Sequence, residues 1–454
     1  MSTERVEKRT RQTAPPGGGP ERTGPDVADA QPTEDRTPTT GGAVPALEPG
    51  SGPAPDGLGP PARALAALRS QRIELPSWAF GDSGTRFKVF RRAGVPRDPF
   101  EKVTDAAQVH AVTGAAPSVA LHIPWDRVDD YSRLARHAES LGVRLGAVNA
   151  NVFQDDDYML GSVTHPDRRV RRKAVDHLLE CVDVMDATGS SDLKLWFADG
   201  TNYPGQDDIA ARQGRLEEAL SAVYDRLAPH QRMLLEYKLF EPAFYTMDVP
   251  DWGTAFAHCL RLGERAHVVV DTGHHAPGTN IEFIVAVLLK AGKLGGFDLN
   301  SRFYADDDLM AGAADPFQLF RILYEVRRGG GLPGTAEHAE RGSVFELALM
   351  LDQCHNIEPK IQAVIRSVMN VQEATAKALL VDRPALRAAQ DAGDVLGANA
   401  VLMDAYNTDV RPLVASLRQE RGLHVDPLAA FARSGYEQSI TAGRLGGVPA
   451  GWGA

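Results

Sequence analysis

Cysteine is scarce in this chain: Cys181, Cys259 and Cys354 are the only three in 454 residues, far apart and without CxxC spacing. That scarcity excludes a disulfide framework and a thiolate zinc knuckle, and a reducing cytoplasm is the expected compartment. Long apolar runs are missing too. No stretch approaches the ~18 continuous apolar residues of a membrane span, and the basic opening from Met1 to Arg11 is followed by no apolar signal core. Neither insertion nor export is expected. Positive charge is in deficit, with 49 Lys and Arg against 60 Asp and Glu and a net charge of −11. Nonspecific nucleic-acid binding rests on clustered cations, so a phosphate-backbone binder is disfavoured and a small polar substrate fits better.

The first sixty residues lack large apolar side chains. From Ala14 to Pro61 the chain is dominated by Pro, Gly, Thr, Asp and Glu, with little to offset the entropy of ordering. Residues 1–62 are therefore expected to form a disordered tail, dispensable for chemistry. Over the whole chain, a 43% apolar and 24% charged composition suits an ordinary globular interior.

What is present after the tail is a series of short apolar strands alternating with amphipathic helical stretches. The strand endings fall in eight segments: 78–87, 118–126, 144–153, 193–202, 233–242, 267–275, 295–303 and 348–356. Segments 129–142, 171–189 and 281–293 have the spacing of helices that cover a parallel sheet. Eight such units predict an α/β fold, a (β/α)8 TIM barrel over residues 63–362, with its site where the strand C-termini meet. Residues 364–382 and 385–410 are purely helical in pattern. Residues 363–454 are thus expected to form a helical C-terminal extension that makes oligomer contacts.

Four of these strands stop abruptly at an acid: Glu236, Asp271, Asp298 and Asp352. A buried apolar strand that ends in a charge has reached solvent or a site that neutralises it. Four in series imply convergence. Asp271 and His274 lie three apart around Gly273, which could turn both inward, and Asp306 and Asp308, two apart, face one side of an extended loop. The bland alternative for Asp306, Asp307 and Asp308 is a solvated acidic loop or a helix N-cap. Carboxylates with one or two imidazoles and no thiolate suit a hard divalent ion, Mn2+ first, with Mg2+, Co2+ or Zn2+ behind it. Lys238 shares a strand face with Glu236. Its ammonium could stabilise charge developing on a substrate oxygen, or simply pair with Glu236 or Glu241. His122 and Trp196 project toward the same mouth and together suggest the polar handle and apolar wall of a sugar pocket.

The runs WFADGTNYPGQ (196–206), EYKLFEPAFYTMDVPDWGTA (236–255), VVVDTGHHAPGTNIE (268–282) and NSRFYADDDLMAG (300–312) resemble the broad-specificity bacterial L-rhamnose isomerases, relatives of xylose isomerase. The resemblance spans roughly residues 70 to 440. It implies a cytoplasmic homotetrameric barrel with two divalent ions, interconverting L-rhamnose and L-rhamnulose and acting on other aldose and ketose pairs. Glu236, Asp271, Asp298 and Asp352 would hold one ion; His274, Asp306 and Asp308, with Asp271, would hold the other. Lys238, Glu236 and His122 would serve the chemistry, while Trp196, Trp78, His122, Lys238 and Phe87 would contact the sugar. The loop 84–99, with Phe87 and Phe90, would cover a neighbouring subunit's pocket. Where the resembled enzymes carry a histidine, this chain has Asp298, an added charge expected to be offset by Lys238 or Arg302. The reaction would run as a metal-assisted hydride shift or through an ene-diol. A related barrel sugar epimerase, or another sugar isomerase, is the alternative enzyme; a noncatalytic sugar-binding protein is the alternative outside catalysis.

Overall fold

Alternation along the strands decides where each side chain goes. In the computed structural model, which describes residues 59–84, 89–240, 246–342, 345–354 and 357–444, eight parallel strands close into a barrel in consecutive order. They are β1 (Glu74–Pro76), β2 (Ser118–Ile123), β3 (Arg144–Ala150), β4 (Asp192–Leu195), β5 (Arg232–Glu236), β6 (Ala266–Asp271), β7 (Leu294–Leu299) and β8 (Ala348–Leu351). Val268 and Val270 of β6, Phe297 and Leu299 of β7, and Leu349 and Leu351 of β8 join the large core between barrel and helices. Each fully buried side chain of this kind is worth roughly 1.5–3 kcal/mol. The alternate residues face inward. There the apolar filling is slight, a small cluster of Trp78, Ala120, Ala147, Met350 and Cys354.

The outer layer is built from α1 (Pro60–Ser70), α2 (Pro99–Thr113), α3 (Tyr131–Ser140), α4 (Arg168–Thr188), α5 (Ile209–Arg226), α6 (Trp252–Leu262), α7 (Ile281–Lys290) and α8 (Pro316–Arg328). Asp98, Asp130, Asp208, Asp251 and Asp315 each accept a backbone N–H of the first turn from the N-cap position. Such caps satisfy a donor that the helix itself cannot. After the short α9 (Ala336–Arg341), the long α10 (Lys360–Leu380) packs on α8, α1 and α2. Helices α11 (Arg383–Asp391) and α12 (Val395–Asn407) follow. The continuous helical pattern over 385–410 is broken between them because Gly393 takes a left-handed conformation (φ 68°) and Asp394 caps a new helix. Three further short helices complete the helical C-terminal region.

The barrel and its eight strands are as the alternation predicts, with differences at the edges. The first strand lies just before segment 78–87, because Pro76 has no N–H to extend the ladder and Ser77–Phe80 coil into a 3-10 turn. Segment 193–202 pairs in the barrel only to Leu195, while Gly200–Thr201 joins Thr246–Met247 in a separate antiparallel ribbon. The expected tail lies outside the described residues as far as residue 58, and residues 60–62 already belong to α1. Among the described residues, no helix is long and apolar enough to cross a membrane.

Candidate metal centre and sugar pocket

Strand register sets the acids side by side. Asp271 on β6 pairs with Asp298 on β7, and Met350, two before Asp352, is the β8 partner of Asp298. Side-chain oxygens of Asp271, Asp298 and Asp352 lie within 4.8 Å of one another, as do ligand atoms of Glu236, Asp271 and His274. Asp271, fully buried, is common to both groups. Asp306 and Asp308 reach the same cavity from the loop after β7, together with Glu236, His274, Asp298 and Asp352. The cavity holds about 120 Å³. Asp306–Asp308 are therefore not the cap of a following helix; Asp315 caps α8.

Two backbone features fix the loop acids. A Cβ on Gly273 would fall 2.8 Å from Asn300 Oδ1 and 3.1 Å from both Asp271 Oδ1 and Asp306 Oδ1, so a side chain here would push the site's own oxygens aside. Asp308 sits at φ 45°, a left-handed conformation that Asp tolerates better than most residues, and its carbonyl accepts the Cys354 N–H at 3.3 Å.

His274 links the strand-end acids Glu236 and Asp271 to Asp306 of the loop. Its Nδ1 lies 3.1 Å from the Tyr237 carbonyl and 3.0 Å from Glu236 Oε1, while Nε2 lies 3.9 Å from Asp271 Oδ2 and 3.3 Å from Asp306 Oδ1. A ring held this way through Nδ1 presents Nε2 to the acids, the usual support for a metal-ligating histidine. Asn300 does the same for Asp271, donating from Nδ2 at 3.0 and 3.2 Å. Trp78 donates its indole N–H to Asp352 Oδ1 at 2.8 Å.

The electrostatics are those of acids crowded together out of water. Burial, relieved in part by His274, raises Asp271 to about 6. Asp298 rises to about 8, through burial first, although Lys194 pulls the other way. Asp308 and Asp352 are pushed well above the ordinary range by burial and by neighbouring carboxylates. Burial opposes charge on His274, yet Asp271 and Asp306 outweigh it and raise the ring. Asp306 is only partly shielded from water, and although that desolvation raises it, His274 and Lys238 beside it hold its carboxyl below the usual range. Its Oδ1 is nonetheless buried without a well-aligned hydrogen bond. Cations would relieve this crowding, and the donor set of carboxylates and one imidazole fits hard divalent ions.

Lys238 lies as expected near the acids, but its partner is Asp306 Oδ2 at 2.7 Å, and its ammonium sits 5.1 Å from the Trp196 ring centroid. The offset expected for Asp298 is corrected. Neither Lys238 nor Arg302 supplies it: Arg302 donates to the Thr272 and Ala276 carbonyls, whereas the fully buried Lys194 donates to Asp298. The reason is position, since Lys194 faces inward on β4 across the barrel from β7. The clue lay in LKLW, where Lys194 shares a strand face with Trp196.

An aromatic wall lines the same cavity as the acids. His122 stacks on Trp125 with centroids 3.9 Å apart and meets Trp78 edge-on at 5.3 Å, and Phe153 meets Trp196 at 4.8 Å. Burial lowers His122 well below its ordinary value, with Lys102 adding to the effect. Burial thus favours the neutral ring, whose Nδ1 is buried without a hydrogen-bond partner among the described residues. Asp126, which no strand-end pattern marks as functional, anchors this wall. It accepts from the His122 N–H at 2.7 Å, from Lys102 Nζ at 2.7 Å and from Ser77 Oγ. Asn149 also lines the cavity, equally unmarked by the pattern. Phe87 lies outside the described residues.

The barrel alone is widespread. An L-ribulose 3-epimerase structure superposes with a TM-score of 0.50 over 69% of this chain and 98% of its own, at 13% identity, which reflects the fold. No family model matches the chain. Its sequence is 42% identical over 390 residues to a probable sugar isomerase of Mesorhizobium japonicum, covering 84% of this chain and 89% of that protein. A probable sugar isomerase of Rhizobium meliloti is 41% identical over 84% and 87%. Xylose isomerase of Thermus thermophilus is 29% identical over 55% of this chain and 70% of its own. The chain belongs to the sugar isomerase family of the two rhizobial proteins.

Proposed function

We propose that this protein is a divalent-metal aldose–ketose isomerase that interconverts L-rhamnose and L-rhamnulose and accepts other aldose and ketose pairs. The observation that carries the reading is the clustering of carboxylates and one imidazole in a single cavity. Glu236, Asp298, Asp306, Asp308 and Asp352 line one cavity with His274, and Asp271 stands within 4.8 Å of two sets of these donors. Two donor sets that share Asp271 support two divalent ions, Mn2+ by donor chemistry. Glu236, Asp271, Asp298 and Asp352 would hold one, and His274, Asp271, Asp306 and Asp308 the other.

Bound there, the ions would act as Lewis acids toward the oxygens on C1 and C2, the two carbons between which hydrogen moves. The chain's own groups do the rest. Trp196, Trp78 and Phe153 cover C–H faces and exclude water, and neutral His122 bonds a hydroxyl without contributing charge. Lys238, pinned between Asp306 and Trp196, donates to an oxygen as negative charge develops on it. In an ene-diol route Glu236 is the carboxylate base; in a hydride shift no base at carbon is needed. Conversion of C2-deuterated L-rhamnose should give L-rhamnulose labelled at C1 with little loss to solvent, the hydride outcome. Full washout would assign the route to Glu236. Absence of any ketose across a panel of aldoses would remove the isomerase assignment.

A homotetramer in the cytoplasm completes the proposal. Phe90, Phe303, Tyr304 and Ile357 are 54%, 63%, 83% and 75% exposed in loops at the barrel mouth, an apolar rim that a neighbouring subunit would cover. Sedimentation velocity should return four times the chain mass of 49.0 kDa; a monomer at working concentrations would contradict it.

A further inference from the structure

Lys194 is one of the largest fully buried side chains in the molecule. It rises from β4 into the barrel beneath the sugar pocket, where its ammonium donates to Asp298 and, at 3.5 Å, to the Met350 thioether. Carboxylates surround it on other sides as well. Glu74 of β1 projects into the interior and accepts the Ala147 N–H at 3.1 Å, and Glu236 lies on the adjacent strand β5. A long basic side chain is seldom wholly buried, because desolvating an ammonium costs several kcal/mol unless the charge is well paired. Here the pairing is with a carboxylate that also stands within 4.8 Å of Asp271 and Asp352.

We propose that Lys194 is a positioning residue for the metal centre: a built-in counter-cation that keeps Asp298 facing Asp271 and Asp352 and holds the acidic cluster together when divalent ions are absent. The inference rests on the divalent-ion reading of the site. Its physical content is a division of labour. In the ion-free protein Lys194 is the charge nearest Asp298, so removing it leaves a buried carboxylate without compensation among other carboxylates. In the loaded protein the ions supply that compensation, and the loss of Lys194 matters less. A lysine that only filled space would stabilise both forms alike.

Thermal midpoints of the full chain, with a chelator and with saturating Mn2+, separate these cases. Wild type should be stabilised by Mn2+. In Lys194→Met the ion-free midpoint should fall by roughly 5–10 °C and the loaded midpoint by clearly less, so the Mn2+-dependent gap widens. The double variant Lys194→Met/Asp298→Asn, which removes both charges, should recover the ion-free midpoint and narrow the gap again. If Lys194→Met folds only with Mn2+, it is purified loaded, and unfolding on chelation is the extreme form of the expected result. Equal losses in both states, or no rescue by the double variant, would overturn the role of Lys194. A wild type that Mn2+ does not stabilise would instead sink the divalent-ion reading.

Discussion

Exhaustive chelation should abolish turnover, and Mn2+ should restore it. The expectation follows from how the acids are held. Asp271, Asp298, Asp308 and Glu236 are almost wholly withdrawn from water, and those carboxylates have few hydrogen-bond donors to replace the lost hydration. Without ions the site must hold its acids neutral or misplaced, and neither arrangement can polarise a sugar carbonyl. Isomerase assays on chelated and Mn2+-reconstituted protein, with metal content measured in parallel, read this directly. Full activity in demonstrably metal-free protein would remove the central claim. Restoration by Mg2+ or Co2+ but not Mn2+ would keep the mechanism and revise the ion.

His274→Asn should lower kcat roughly 10²-fold or more while the protein stays folded. As an ordinary buried polar residue, His274 would cost about 1–2 kcal/mol of stability on this change and little activity. The geometry argues otherwise, because Nδ1 is occupied by the Tyr237 carbonyl and Glu236 while Nε2 is left to Asp306 and Asp271. The variant should therefore bind one ion firmly through Glu236, Asp271, Asp298 and Asp352 and lose or loosen the other. Two ions per chain with near wild-type turnover would refute the role given to His274.

Much of this site is legible in the sequence, for local reasons. Glu236 and Lys238 share a face because strand side chains alternate. Asp271 and His274 converge because a glycine between them permits the turn. The strand ends mark one rim because consecutive βα units place them there. The aromatic wall is half visible: the strand pattern points to His122 and Trp196, whereas Trp125 and Phe153 join them only through loops whose course carries no periodic signal. Asp126 is hidden for the same reason, since its partners Ser77, Lys102 and His122 come from a turn, a helix and a strand.

By itself the sequence determined the units: which segments are strand or helix, and which acids and imidazole stand near the strand ends, though not the edges of the first and fourth strands. Those properties depend on a repeat of two or 3.6 residues and on neighbours within one turn. What the tertiary structure alone decided is which charges meet. Trp78 bonds Asp352 across 274 residues, Lys238 bonds Asp306 across 68, and Lys194, not Lys238 or Arg302, reaches Asp298 across 104. Such pairs depend on the register and closure of eight strands, and an ion pair acts through distance in space, which no spacing along the chain encodes.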